Sequence, residues 1–348
     1  MTLVAVDADV LGRERTGDET YVRNLLRELA ALDPDHELAA VTRRPDLVPA
    51  GVRPVELRAR SQPLRMAVQL PLLLRRLRPA LAHFIYVVPP AYRGRAVVTV
   101  QDLSFERHPE LMGARDRFFF RTFVRPSVRR AGRVLTGSEW TKRDLVERYA
   151  VPPERIVITP YGVDPIFRPE GPAPNGAPYV LFVGSLEPRK NPLAALEALA
   201  RAGPELRLVV AGPEKHGRAE VSRAISRLGL DGRVELRGHV AHEELAALYR
   251  GASCLVFPSR YEGFGLPVVE AMASGTPVVA TTAGSVPEVA GDAAILVDPG
   301  DSTAMAAGIE RALAERERLR TAGLERSRGY TWSETARKTL EVYRELLE

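Results

Sequence analysis

Along the chain, short apolar runs alternate with longer stretches in which apolar residues recur every third or fourth position. The first pattern predicts strands buried on both faces over residues 2–8, 37–42, 80–86, 96–101 and 133–136; the second predicts helices over 18–32, 64–77, 115–130 and 141–149. Strands that alternate with helices build a parallel sheet covered on both sides. Residues 168–178 are dense in proline and glycine, unsuited to a helix or a central strand, and read as a linker. The alternation then resumes, with apolar runs at 179–183, 206–211, 254–258, 276–281 and 294–297, helical patterns between them (193–201 the clearest), and a final amphipathic helix over 332–348. The organisation expected is two Rossmann-like, doubly wound α/β domains, 1–170 and 171–330, facing across a cleft, then a C-terminal helix, 331–348, that packs back on the first domain. In such sheets ligands bind beyond the carboxyl ends of the strands, so the chemistry is sought in the loops that follow them.

Composition narrows the class without choosing a function. Apolar residues are 45% and charged residues 27% of the 348, enough for each half to bury its own core. No apolar run is long enough to span a bilayer. The opening run contains Asp7 and Asp9 and no basic leader, so a first strand is expected there and not a signal peptide. Cys254 is the only cysteine, which rules out an internal disulfide or a cysteine metal cluster and fits a cytoplasmic protein. The net charge of +5 is uneven: residues 1–170 hold 28 Lys/Arg against 21 Asp/Glu, nearly all of the basic ones arginine. A basic half can attract nucleic acid, anionic lipid or a phosphorylated substrate, or simply carry arginine on a solvated surface. The stretch 115–130 sharpens the lipid alternative. Phe118, Phe119, Phe120 and Phe123 lie among six arginines there, which suits either a helix lying on an anionic membrane or a core-facing Phe stripe with a solvated Arg face.

Two loops carry the candidate chemistry. After the run 254–258 comes Glu262-Gly263-Phe264-Gly265-Leu266-Pro267-Val268-Val269-Glu270-Ala271-Met272-Ala273-Ser274-Gly275-Thr276-Pro277. It reads as a flexible glycine loop, a helix opened by Pro267 and closed by Gly275, with Glu270 in the first helical turn. Backbone N–H groups near Gly265 and Leu266 make a seat for a diphosphate. Carboxylates repel phosphate, so Glu262 and Glu270 are expected on sugar hydroxyls; the plainer alternative is that both complement the helix dipole. After the run 179–183 comes Gly184-Ser185-Leu186-Glu187-Pro188-Arg189-Lys190-Asn191. Gly184 and Ser185 allow close backbone approach, and Arg189 and Lys190 supply two phosphate-binding cations at the same strand-end level.

These two runs closely resemble the signature of the family-4 (group 1) glycosyltransferases. Weaker matches follow in the family's order: Thr16-Gly17, Gln101-Asp102-Leu103, Gly137-Ser138-Glu139, Tyr161-Gly162-Val163-Asp164, Gly238-His239-Val240 and Pro287-Glu288-Val289. The resemblance implies a GT-B fold and a retaining hexosyl transfer from a nucleotide-diphosphate sugar, with no bound metal and no cofactor required. It implies that Arg189 and Lys190 bind the diphosphate, Glu270 the ribose, and Glu262 with Gly263, Phe264, Gly265 and Leu266 the sugar, while His239 and Val240 face the base. Gly184 and Ser185 line the donor loop, and Gly17 opens a helix toward the phosphates and the acceptor. General likeness to mannosyltransferases favours GDP-mannose over UDP-glucose, a glycan or lipid-linked saccharide as acceptor, and no nucleic acid partner.

The chain departs from the family at Gln101-Asp102, where members often have His-Asp; an amide can bond a sugar hydroxyl but cannot exchange a proton. Asp18 and Glu19 cap a helix well but would repel a phosphate. Asp7-Ala8-Asp9 has the form of a metal-binding Asp-x-Asp but no third ligand, and His83, His108, His216 and His242 show no ligand spacing. Two other functions stay open on sequence alone: a sugar-nucleotide epimerase on the same fold, and a non-catalytic protein that binds nucleotide sugar or glycan. A cytoplasmic enzyme is expected, with peripheral contact to the inner membrane face as the further possibility offered by the basic first half.

Overall fold

The computed structural model describes residues 2–13, 17–33, 35–59, 61–174, 176–214 and 217–348. The chain forms two compact units: Met1–Gly162 with Trp332–Glu348, and Val163–Thr331.

The first unit holds a seven-stranded sheet. Its strands are β1 (Thr2–Asp7), β2 (His36–Thr42), β3 (Arg53–Glu56), β4 (Leu81–Ile85), β5 (Ala96–Thr99), β6 (Arg133–Thr136) and β7 (Ile156–Ile158), in the order β3-β2-β1-β4-β5-β6-β7. Every pair is parallel. The sheet's two faces are read directly from alternation. Ala82, Phe84, Ala96 and Val98 face one core cluster with Met66, Leu70, Leu74, Val124 and Val128. His83 and Thr99 face the other side, where His83 bonds Tyr343 (2.6 Å) and Thr99 (2.7 Å), and Thr99 bonds Tyr21 (2.9 Å). On that side the helix Trp332–Leu347 packs against Gly17–Leu32.

The second unit holds a six-stranded sheet of β8 (Tyr179–Val183), β9 (Arg207–Ala211), β10 (Val234–Gly238), β11 (Cys254–Phe257), β12 (Val278–Thr281) and β13 (Ile295–Val297), in the order β10-β9-β8-β11-β12-β13. It too is parallel throughout. Cys254 is buried in β11, and that burial pushes its thiol up to about 12.

Several elements differ from the sequence expectation for identifiable reasons. Strands β3, β7 and β10 lie at sheet edges; β3 (Arg-Pro-Val-Glu) and β10 (Val-Glu-Leu-Arg-Gly) mix polar with apolar residues, and β7 (Ile-Val-Ile) is only three residues long. The helix expected over 64–77 is broken into Gln62–Leu64, a π-turn Arg65–Gln69 and Leu70–Leu77. Pro71 lacks an N–H and its ring crowds the carbonyl four residues back, which widens the turn before it. In the helix Ala114–Arg130, Phe119, Phe120 and Phe123 pack on the core while Phe118 stays 72% exposed. The proline-rich run 168–178 falls within the second unit. There Arg250 donates to the carbonyl of Pro172 at 2.7 Å.

Candidate active site

A doubly wound sheet separates the loops of two neighbouring strands where the strand order reverses, and leaves room for a ligand there. In the second unit that point lies between β8 and β11. The loop after β8 carries Arg189 and Lys190, and the loop after β11 carries Glu262. The geometry joins them: Lys190 Nζ lies 2.6 Å from Glu262 Oε1, and Arg189 Nη1 lies 3.3 Å from Oε2. Arg189 also donates to the Tyr261 carbonyl (3.1 Å), and the Arg260 N–H donates to the Arg189 carbonyl (2.8 Å). Lys190 Nζ sits over the ring of Phe257, 5.3 Å from its centroid.

The three charges modify one another. Burial alone would raise the Glu262 carboxyl, but Lys190 and Arg189 outweigh it and hold the group below the usual carboxylate range. Burial lowers Lys190 more than Glu262 raises it, and Arg189 beside it lowers it further. The two cations thus favour the ionised form of Glu262, while burial works against the charged form of Lys190.

The loop expected to be flexible is instead held on several sides. Glu262, Phe264 and Tyr261 are buried, and the Glu262 carbonyl accepts from Ser285 N (3.1 Å) and Oγ (3.2 Å). Gly284 lies so close that a Cβ there would fall 2.1 Å from that carbonyl. Phe264 packs edge-on against Tyr330, ring centres 5.6 Å apart. Gly265, at φ +96°, caps the helix Leu266–Ala273.

Glu270 is the fifth residue of that helix, one turn deeper than the first-turn position the sequence suggests. The dipole explanation therefore loses force, because the effect fades beyond the first turn. Its Oε2 accepts from Tyr249 Oη at 2.9 Å. Burial raises the Glu270 carboxyl; the Tyr249 bond and nearby His242 oppose that in part. Tyr249 was not legible as a site residue: it lies 21 positions away on another helix, in an ordinary apolar position.

The donor-side glycines meet at one sheet end. A Cβ on Gly212, at φ +147°, would fall 2.2 Å from the Gly184 carbonyl, and Gly212 N donates to the Gly238 carbonyl (2.8 Å). The ends of β8, β9 and β10 thus present bare backbone side by side. Ser185 Oγ donates to Glu187 (2.7 Å), His239 is exposed and Val240 half-buried beyond Gly238.

In the first unit, Gly17 starts its helix and Gln101 Oε1 lies 3.9 Å from where a Gly17 Cβ would stand. Among the described residues the buried Nε2 of Gln101 has no hydrogen-bond partner, and its backbone carbonyl accepts from Thr141 Oγ1 at 3.4 Å. Asp102 caps the next turn through Ser104 N (2.8 Å), and its own N–H donates to Tyr86 Oη (3.3 Å); Tyr86 holds a left-handed backbone, φ 63°. Thr16 lies outside the described residues. Glu19 turns inward, accepting from Gly12 N (3.0 Å) and Arg23 (2.6 Å). Gln101 and Asp102 belong to one unit and Glu262, Arg189 and Lys190 to the other.

The Asp7-x-Asp9 pair is saturated with arginine. Arg65 binds Asp7 and lies 3.2 Å from Asp9, and Arg43 forms a two-pronged bond to Asp9 at 2.6 and 2.8 Å. Among the described residues no group of three His, Cys, Asp or Glu side chains is placed to hold a metal. His83 is a core residue, His108 pairs with Glu110 (3.2 Å), His242 stands 3.8 Å from Asp164, and His216 lies outside the described residues.

Two parallel-sheet α/β units, each with its candidate loops at a sheet end, define a protein of the GT-B class. Residues 163–326 match the sequence profile described as Glycosyl transferases group 1, and residues 15–167 that of Glycosyltransferase Family 4. O-antigen chain mannosyltransferase B of Escherichia coli is 31% identical over 268 residues, covering 72% of this chain and 70% of that protein. D-inositol 3-phosphate glycosyltransferase of Thermobispora bispora is 37% identical over 243 residues, covering 63% of this chain and 57% of that protein, little more than half its length. Sucrose-phosphate synthase of Thermosynechococcus elongatus shares the fold, with a TM-score of 0.85, 22% identity and 99% coverage of both chains. The chain belongs to the group 1, family-4 glycosyltransferases, enzymes that transfer a sugar from a nucleotide-sugar donor. Among the described residues no helix is long and apolar enough to cross a membrane.

Proposed function

We propose that this glycosyltransferase moves mannose from GDP-mannose, with retention of anomeric configuration, onto a hydroxyl of a glycan or lipid-linked saccharide. The observation that carries the reading is the meeting of Lys190, Arg189 and Glu262 at the reversal point of the second sheet. Breaking the bond from the sugar C1 to the diphosphate oxygen leaves negative charge on that oxygen. Two cations already oriented by Glu262 stabilise this charge more in the transition state than in the bound donor. The new bond joins C1 to the acceptor oxygen, and the acceptor's proton passes to the departing diphosphate oxygen, so no side-chain base is required.

Glu270, held by Tyr249, is assigned to the ribose hydroxyls, and the bare backbone of Gly184, Gly212 and Gly238 to close approach of the nucleotide. Gln101 and Asp102 are assigned to acceptor hydroxyls. The mannosyl assignment is supported by the Escherichia coli relative, whose name specifies that sugar. The first test is a thermal-shift series with GDP, UDP, ADP and TDP and their sugar conjugates. A ligand at 100 times its Kd adds about 2.7 kcal/mol to stability. A shift confined to GDP and GDP-mannose, followed by transfer of labelled mannose into an α-linked product, is expected. A shift with UDP-glucose alone overturns the donor assignment, and nucleotide binding without product from any saccharide acceptor supports the binding-only alternative.

A further inference from the structure

The first sheet has a reversal point of its own, between β1 and β4, and a ligand is expected beyond the strand ends there. The helix Gly17–Leu32 follows β1, Tyr86 follows β4, and Gln101 and Asp102 follow β5. Two features at this place serve no evident purpose in holding the fold. Gln101 is only 9% exposed, yet its Nε2, which carries two donors, has no partner among the described residues. A buried amide left unbonded costs stability, so it is kept for another reason. The amide end faces the helix start, with Oε1 3.9 Å from where a Gly17 Cβ would stand.

Tyr86 is the second feature. Its φ of 63° is a left-handed backbone that a bulky side chain rarely adopts. Its N–H donates to the Thr99 carbonyl (2.9 Å), and its ring lies edge-on to Phe120 and Phe105, with centres 5.1 and 6.4 Å apart. Its Oη thereby comes to accept from the Asp102 N–H (3.3 Å), beside Gln101. Strain of this kind persists where the surroundings fix it, and it gathers at ligand sites.

The charge at this place has one sign. Asp18 and Asp102 are both half-buried. Burial above all, and then neighbouring charges, push the Tyr86 and Tyr161 phenols well above their ordinary range, and Asp18 and Asp102 contribute to both shifts. The segments that supply these residues, 17–22, 86–92, 99–105 and 159–162, contain no lysine or arginine. Arg13, in the loop after β1, pairs with Asp9 at 3.3 Å. A ligand here meets an amide donor, carboxylate acceptors and a fixed aromatic ring. Hydroxyl groups match that set, whereas a phosphate meets like charge.

We propose that this cluster selects an acceptor whose receiving sugar is uncharged: Gln101 Nε2 donates to one hydroxyl oxygen, Asp18 and Asp102 accept from other hydroxyls, and a phosphate on that sugar is repelled. The inference rests on the proposed transfer reaction and adds to it the charge of the acceptor.

Binding is measured without donor, so that an error in the donor assignment cannot conceal it. Saturation-transfer NMR on the full chain compares the methyl α-glycosides of mannose, glucose and galactose with the same glycosides carrying a phosphate monoester. At least one neutral glycoside should bind about tenfold or more tightly than its phosphate ester. Asp18→Asn with Asp102→Asn should narrow that ratio to about twofold, because the repelling charges are gone while hydrogen-bonding side chains remain. Gln101→Met should weaken the neutral glycoside about tenfold and leave the thermal midpoint equal or higher, since the amide it removes has no protein partner. A lowered midpoint with sugar affinity unchanged would make Gln101 a structural residue and overturn the proposal. Phosphate esters that bind as well as the neutral glycosides overturn it too, as does a ratio the double variant leaves unchanged, or no binding of any of these sugars. Selective binding of a neutral glycoside without transfer from GDP-mannose supports the acceptor assignment and overturns the donor assignment.

Discussion

The Lys190–Glu262 pair allows the structural and catalytic roles of one contact to be separated. Its atoms are 2.6 Å apart and the side chains are 14% and 7% exposed, so each charge depends on the other for compensation. Breaking a buried pair by removing one partner costs about 3–5 kcal/mol. Arg189 remains 3.3 Å from the carboxylate after Lys190→Met, which places that variant at the lower end, about 3 kcal/mol. Glu262→Gln removes the carboxylate that Lys190 and Arg189 share and leaves two like charges side by side, with a similar loss. The double variant removes both buried charges, so its loss should fall short of the sum by about 2 kcal/mol, within the range for residues in contact. Urea unfolding of the four proteins measures this. Turnover should behave differently: kcat should fall at least about 100-fold in Lys190→Met and stay low in the double variant, because a missing cation cannot be restored by relieving Glu262. Losses that add within about 0.5 kcal/mol would refute the electrostatic coupling. Near-wild-type turnover in the double variant would refute the role of Lys190 on the leaving diphosphate.

Three further outcomes follow from other contacts. Burial pushes the His83 imidazole down to about 3, against 6.5 when unfolded, so between those values only the unfolded chain takes the proton. Stability should therefore fall as pH drops below 6.5, by about 1.4 kcal/mol per unit from this group; a His83→Leu protein whose urea midpoint shows the same acid slope would contradict it. Tyr249→Phe removes the bond that orients Glu270, and should raise the donor KM about tenfold with little change in kcat, an effect steady-state kinetics with varied donor will detect. Gly212→Ala would drive a methyl into the Gly184 carbonyl, and should cost about 3 kcal/mol or more, read as a lowered thermal midpoint.

What was legible from sequence was whatever a local run of residues decides. Central parallel strands are buried on both faces, so β1, β4, β5, β8, β11 and β12 announce themselves as apolar runs, and their alternation with helices specifies the α/β class. The Glu262–Pro277 run and the Gly184–Asn191 run sit where a strand must turn into a helix, which made both candidate loops visible before any coordinate. Edge strands β3 and β10 are not legible because their pattern mixes polar with apolar residues, and β7 because three apolar residues are too short a run to mark a strand.

Other features are set by residues far apart in the chain. Lys190 and Glu262 are 72 positions apart and meet only because β8 and β11 are neighbours in the sheet. That pairing, with the contacts from Ser285 and Gly284, makes a buried, fixed loop out of a glycine-rich sequence that alone suggests mobility. The same is true of Asp7 and Asp9, whose motif resembles a metal site until Arg65 and Arg43 arrive from other elements and neutralise it. Periodicity and turn chemistry are local and can be read along the chain, but charge compensation and burial depend on which strands become neighbours, and only the folded sheet decides that.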